Sequence, residues 1–294
     1  MLDFIAYPLG RFLYFIYNTL GLHNYGLSLL IFTVIIKFAL LPLTIKQYHS
    51  TVRMQELQPK IQEIQKKYKN DKEKLNQELM KVYQENNYNP ASGCLPLLIQ
   101  MPILISLYWV IMQPLKFMLN KTPEQITKLT DYVTAKLGAT TMSYSKEIGI
   151  LNYFNTHRDE LANMTDFLKP EELINMNFLG LDLGQIATYN PSLLFGEQSA
   201  TYLPLLLLPI IGVITTYISS KMAMPKVDPN NKDANAAASM SKSMLLVGPI
   251  MTLIFSFQLP AGVILYWIAG YVFQIFQQLY LNKYVIKKKE VVTK

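Results

Sequence analysis

The sequence predicts an all-α polytopic membrane protein, and three observations carry that prediction. Of 294 residues, 51% are hydrophobic and only 16% charged, whereas about a quarter of the residues of an ordinary soluble domain carry charge. Five apolar runs divide the chain, and a helix of about 20 apolar residues is enough to cross a bilayer. Charge in the segments between the runs alternates, as it does when lysine and arginine are held on the cytoplasmic side. The single cysteine, Cys94, excludes an intrachain disulfide, and no Cys/His cluster has metal-ligand spacing.

Residues 1–22 are apolar and aromatic but contain Pro8, Gly10 and Arg11. No basic n-region or small-residue cleavage site accompanies them, which argues against a signal peptide. They read as an N-terminal interfacial helix, with a sixth span as the alternative. The first span is placed at 26–45. Residues 46–90 carry nine Lys/Arg against six acids and form a cytoplasmic helical hairpin. The second span covers 95–120. An extracytoplasmic insertion follows at 121–199, with six Lys/Arg against ten acids and helix-like stretches over 123–137 and 156–174. The third span (200–220), a cytoplasmic linker (221–243), the fourth span (244–259), the fifth (262–281) and a basic cytoplasmic tail (282–294) complete the chain. This alternation puts the N-terminus outside and the C-terminus inside.

Lys37 lies within the first apolar run, nine positions before Lys46, which puts it about 13 Å below the membrane exit. A cation at the centre of a bilayer costs roughly 2.5–3.5 kcal/mol on insertion scales, so it normally faces a protein interior or a wet cavity. The alternative is an anchor whose stem snorkels to the headgroups. Pro42 cannot donate to the Phe38 carbonyl, which leaves a polar spot one residue from Lys37.

In the hairpin, Met54, Leu57, Ile61, Ile64 and Tyr68 are spaced 3, 4, 3 and 4 apart, and Leu75, Leu79 and Val82 follow after a turn at Asn70-Asp71. Two amphipathic helices packed antiparallel satisfy this pattern, with Pro59 as a kink or helix start. The stripe, with Pro59 and Lys60, serves either as a docking surface for a partner or as the inner face of a solvated helix pair.

Several strings then come together: Leu41-Pro42-Leu43-Thr44, Leu57-Gln58-Pro59-Lys60, Gly93-Cys94-Leu95-Pro96-Leu97-Leu98-Ile99-Gln100-Met101-Pro102, Phe178-Leu179-Gly180-Leu181-Asp182-Leu183, and Leu259-Pro260-Ala261-Gly262-Val263-Ile264-Leu265-Tyr266-Trp267. In this order they resemble the YidC/Oxa membrane-protein insertases, in a short bacterial form without a large outer domain before the first span. The likeness covers roughly residues 20–121 and 177–285. Three departures accompany it. Lys37 stands where the family usually has arginine, Tyr271 where it has asparagine, and the insertion within 122–177 is longer than a short form leads one to expect.

The resemblance implies five transmembrane helices around a hydrophilic groove, in a multi-pass protein of the bacterial plasma membrane. Lys37, Gln100, Ser106, Thr252, Ser256, Gln258 and Gln274 are the polar candidates for its lining, although Gln100 equally suits helix–helix hydrogen bonding. The implied function is an insertase and chaperone that moves the polar outer segment of small membrane proteins and releases the helix into lipid. No enzymatic activity, cofactor or metal is expected of such a protein. Nascent membrane proteins and the bilayer are the implied partners. A Sec translocon and the ribosome are candidate partners at the hairpin and basic tail, since phosphate-rich RNA attracts such clusters; plain positive-inside anchoring explains the same lysines. No feature points to DNA. A secondary transporter would place ionisable residues in several spans, and a noncatalytic assembly scaffold is the other alternative.

Overall fold

The computed structural model describes residues 2–86, 88–89, 95–137, 145–223 and 235–283. Of the expected linker (221–243), residues 224–234 lie outside the described residues, while 235–243 are helical and join the fourth expected span in one helix; the basic tail beyond Lys283 also lies outside. The elements in order are α1 (Asp3–Asn18), α2 (Tyr25–Ala39), α3 (Leu41–Lys67), α4 (Lys72–Glu85), α5 (Leu95–Met112) and α6 (Pro114–Phe117). Next come α7 (Pro123–Leu137), α8 (Lys146–Thr156), a short hairpin of β1 (Asn177–Phe178) and β2 (Leu181–Asp182), and α9 (Pro191–Phe195). The chain continues through α10 (Ser199–Leu205), α11 (Leu207–Ala223), α12 (Asn235–Ser256) and α13 (Ala261–Leu281). It is an almost entirely helical membrane protein. Among the described residues, two helices are long and apolar enough to cross a bilayer, Ser199–Met222 and Ala261–Leu281, and the bent pair of α2 with the start of α3 would make a third.

The chain divides into two compact units. The first comprises residues 1–35, 101–213 and 252–270; the second comprises 36–100, 214–251 and 271–294.

In the first unit, α1 buries Ala6, Gly10, Leu13 and Tyr17, one face at i, i+4, i+7 and i+11. Gly10 is required there, because a Cβ would lie 2.5 Å from the Phe117 carbonyl oxygen. The opposite stripe of Phe4, Pro8, Arg11 and Phe15 is exposed. With 16 residues, α1 is shorter than a typical span. Asn24 caps α2 by accepting from the Leu27 amide at 2.9 Å, the side-chain bond that this residue type makes at helix starts.

The insertion is a folded part of the same unit. Its first helix, α7, occupies the 123–137 stretch seen in the sequence and packs on α8. The second expected stretch, 156–174, is not one helix: α8 ends at Thr156, and only 3₁₀ turns follow, at Glu160–Met164 and Pro170–Glu172. Ser145 sets the start of α8 by capping the Ile148 amide while donating to the Met112 carbonyl. Glu160 then ties the pieces together. It accepts from the hydroxyls of Tyr132 (2.9 Å) and Tyr153 (2.8 Å) and pairs with Lys136 at 3.0 Å. These three donors pull its carboxyl down to about 2.

Two of the motif strings of the sequence meet in this unit. The amides that open α13 have no intrahelical acceptors. Ala261 donates to the Gln185 carbonyl at 2.7 Å and Gly262 to that of Leu183 at 2.8 Å, while Ile186 bridges Pro260. A Cβ on Gly262 would lie 3.2 Å from the Leu183 oxygen, and Gly26 lies under the Phe178 ring. The strings containing Phe178–Leu183 and Leu259–Gly262 are therefore two sides of one joint.

In the second unit, the helix breaks at Leu40, where α2 and α3 meet at 63°. Pro42 has no amide for the Phe38 carbonyl, and a proline near the start of a helix fits the break. The helix α3 then runs without interruption to Lys67, with Pro59 inside it as neither a start nor a stop. Asp71 caps α4 by accepting from the Lys74 amide at 3.0 Å. The two helices pack through buried Leu57, Ile61 and Val82, with Met54, Ile64, Leu79, Tyr83 and Tyr88 around them.

Glu147, on α8, is buried and accepts from the amides of Lys116 (3.1 Å) and Leu115, the first of α6. Burial pushes its carboxyl up to about 7, against the pull of those amides. Because the folded value lies above the unfolded one, the associated stability is complete below about pH 4.5 and is lost as pH rises through about 7. Thermal unfolding in detergent should show a fall on the order of 3 kcal/mol across that window. Glu147→Gln, which keeps the acceptor without the titration, should flatten it.

Candidate functional site

Two polar stripes run along helices that are otherwise membrane-like. On α3, Thr44, Gln47, Tyr48 and Thr51 follow i, i+3, i+4 and i+7; on α13, Gln274, Gln277, Gln278 and Leu281 follow the same spacing. Each set therefore lies on one face of its helix. In the second unit the two faces line a common recess with a cavity volume of about 60 Å³, room for about two waters. Among the described residues its walls carry three glutamines of α13, one of α3, two threonines and a tyrosine, with no charged side chain.

The hydrogen bonding of the walls is incomplete. Tyr48 donates its hydroxyl to Asn282 Oδ1, and Gln278 Nε2 donates to the Met222 carbonyl at 2.8 Å. The hydroxyls of Thr44 and Thr51 turn back to the carbonyls of Leu40 (3.0 Å) and Gln47 (3.1 Å). Among the described residues, Gln277 Nε2 and Gln278 Oε1 are buried without a partner, and Gln278 as a whole is 8% exposed. One donor and one acceptor thus remain unused side by side along the chain, in a place where an unmet polar group normally destabilises.

The last turn of α2 reaches the same unit. Phe38 meets Phe273 edge-on with ring centroids 5.2 Å apart, and Phe273 directly precedes Gln274. Lys37 is half-buried and makes no hydrogen bond or ion pair among the described residues.

The family model described as "60Kd inner membrane protein" matches residues 15–289, which include both walls of the recess. The chain belongs to this family. It is similar to the membrane protein insertase YidC 2 of Bacillus anthracis, with 31% identity over 285 residues, 96% of this chain and 80% of that protein. It is similar also to the membrane protein insertase YidC of Oceanobacillus iheyensis (32% over 290 residues; 97% and 84%) and to MisCA of Bacillus subtilis (29% over 289 residues; 97% and 80%).

Set against the residues expected to line a groove in such a family member, the structure sorts them by unit. Lys37, Gln100 and Gln274 belong to the second unit, and Ser106, Thr252, Ser256 and Gln258 to the first. Gln274 lines the recess. Ser256 donates to the Thr252 carbonyl at 2.7 Å, both being buried on α12. Ser106 is buried with its hydroxyl unpaired among the described residues, and Gln258 is exposed. Sequence reasoning missed Thr44, Gln47, Tyr48, Thr51, Gln277 and Gln278. Their signal was polar spacing at i, i+3 and i+4 on both helices, continued to i+7 by Thr51 on α3. On the hairpin, Leu57 and Ile61 face inward with Met54 and Ile64 beside them. Pro59 and Lys60 lie at the surface, Lys60 pairing with Glu85 at 3.5 Å, and Tyr68 sits under Lys67.

Replacing Gln277 with Leu removes a buried donor that has no acceptor. The variant should gain about 1–3 kcal/mol of stability, read as a higher unfolding temperature in detergent. A lower temperature would mean that the amide is satisfied by something bound in the recess.

Proposed function

We propose that this chain is a membrane-protein insertase of the bacterial plasma membrane and that the α3–α13 recess is part of a cytosol-open polar groove. Five spans would frame it, with the insertion outside and the hairpin, linker and C-terminus inside. The observation that carries this reading is an uncharged polar recess with unused hydrogen-bonding capacity, set on helices otherwise suited to lipid. Relatives named as insertases over nearly the whole chain support it.

The mechanism needs no bond chemistry. A client with one span must carry a polar tail through hydrocarbon, and each acidic residue costs about 2.5–3.5 kcal/mol at the centre. A polar recess entering part of that thickness shortens the dry path. The glutamine carboxamides and the threonine and tyrosine hydroxyls offer donors and acceptors to an unfolded segment. Lys37, in the same unit, supplies the positive charge that attracts an acid. Apolar client residues then partition into lipid at about −0.3 to −0.6 kcal/mol each, so twenty of them release roughly 6–12 kcal/mol, enough to drive release without nucleotide. The basic hairpin and tail provide a surface for the ribosome or a Sec-type channel.

The purified full chain in liposomes should insert a single-span protein with a short acidic tail, read as protease protection of that tail. No protection would leave only a scaffolding role. In the same assay Lys37→Ala should slow acidic-tailed clients about tenfold, the effect of roughly 1.4 kcal/mol on a barrier, and leave neutral-tailed ones unchanged. Lys37→Arg should retain the parent rate. Equal rates for Lys37→Ala and the parent would remove the charge from the mechanism.

A further inference from the structure

The turn joining β1 and β2 has two central residues, Leu179 and Gly180, between the paired Phe178 and Leu181. Both have positive φ, 53° and 81°, the geometry of a type I′ turn, in which Asn-Gly is the favoured pair. A leucine in the left-handed region suffers a steric penalty that asparagine largely escapes. Nothing among the described residues compensates for it: Leu179 is 86% exposed, and a Cβ built on Gly180 would meet no atom within 4 Å. The turn itself is well made, with Asn177 Oδ1 accepting from the Gly180 amide at 3.2 Å. A strained, well-ordered turn that projects an apolar side chain away from the protein calls for something outside the protein to receive it.

We propose that this hairpin tip is a membrane anchor, with Leu179 seated in the lipid at the boundary between headgroups and acyl chains. Continuity with the apolar helices identifies lipid as the occupant. Phe178 packs on Gly26, in the first turn of α2, so the tip stands beside the start of an apolar helix. Leu22, 78% exposed and held at φ 50°, lies four residues before Gly26. Tyr189 and Phe195, 80% and 78% exposed, precede the apolar helix that begins at Ser199. From Asn175 to Leu205 the chain has only two charged residues, Asp182 and Glu197. A water-facing loop rarely keeps so many bare apolar side chains with so little charge, whereas aromatic and apolar residues with few charges suit the interface. Through the carbonyls of Leu183 and Gln185, the same segment holds the first amides of α13, so the anchor also fixes the height at which that helix enters the bilayer.

The test uses the full chain in a Cys94→Ser background, with Leu179→Cys carrying a nitroxide spin label, reconstituted in phosphatidylcholine–phosphatidylglycerol vesicles. Collision rates with oxygen, which concentrates in lipid, and with a water-soluble nickel chelate report the surroundings of the label. Lys128→Cys on α7, an exposed polar site, carries the same label and controls for its own preference for lipid. Variants are compared only if their unfolding temperatures match the parent's. The oxygen-to-nickel ratio should be several-fold higher at position 179 than at 128. A ratio at 179 no higher than at 128 would overturn the proposal. That result is also the one expected if the tip were meant for another protein, because the vesicles contain none.

Discussion

Two backbone hydrogen bonds, from Ala261 and Gly262 to the carbonyls of Gln185 and Leu183, determine much of the rest of the first unit. A helix entering hydrocarbon must satisfy its opening amides within the protein, because no water is there to do it. The segment at the start of α13 provides no capping side chain: Pro260 has no amide, and Ala261 and Gly262 have no polar group. The acceptors therefore come from a distant stretch of chain that lies alongside the helix start. Gly262 allows that stretch to approach, and the approach brings the β1–β2 hairpin to Gly26, where again only a glycine leaves room for the Phe178 ring. The insertion is thus joined to the apolar helices through backbone contacts, and its own packing is secured by Glu147 on the α6 amides and Glu160 among its three donors.

The recess of the second unit answers the same solvent constraint in the opposite way. Helices α3 and α13 turn matched polar faces toward one space, and two carboxamide atoms there stay unpaired. Leucines at those positions would pack without that cost. Groups of this kind persist where they serve something other than stability. With native stabilities of only about 5–15 kcal/mol, two such groups are affordable but not negligible. In the function proposed above, the recess would shelter polar parts of a client chain that lipid would reject.

Legibility differed from element to element. Helix α7 was readable because its periodicity and its opening Pro123 are local signals. The stretch 156–174 was not, because its residues contact Tyr132 and Lys136 far back in sequence, and those contacts favour short turns over a continuing helix. Pro59 looked like an interruption, yet α3 runs through it; a proline removes one hydrogen bond, and packing through Leu57 and Ile61 on the helix face toward α4 outweighs that loss. At the site, Gln274 was legible as a polar residue in an apolar helix. The polar residues of α3 were not: Thr44 sits at the very end of the expected first span, and Tyr48 and Thr51 sit where the sequence reads as a soluble hairpin.

By itself the sequence determined that this chain is helical and lives in a membrane, since apolar length and charge alternation act locally against a solvent with fixed thickness and sign preference. It also carried the strings that mark the family. Which strings touch, which polar faces share a recess and which leucine is held out at the tip of a turn were decided only by the tertiary structure. Each of these depends on backbone groups and side chains from separate segments finding partners, or lacking them, and a pattern along one segment holds no record of that.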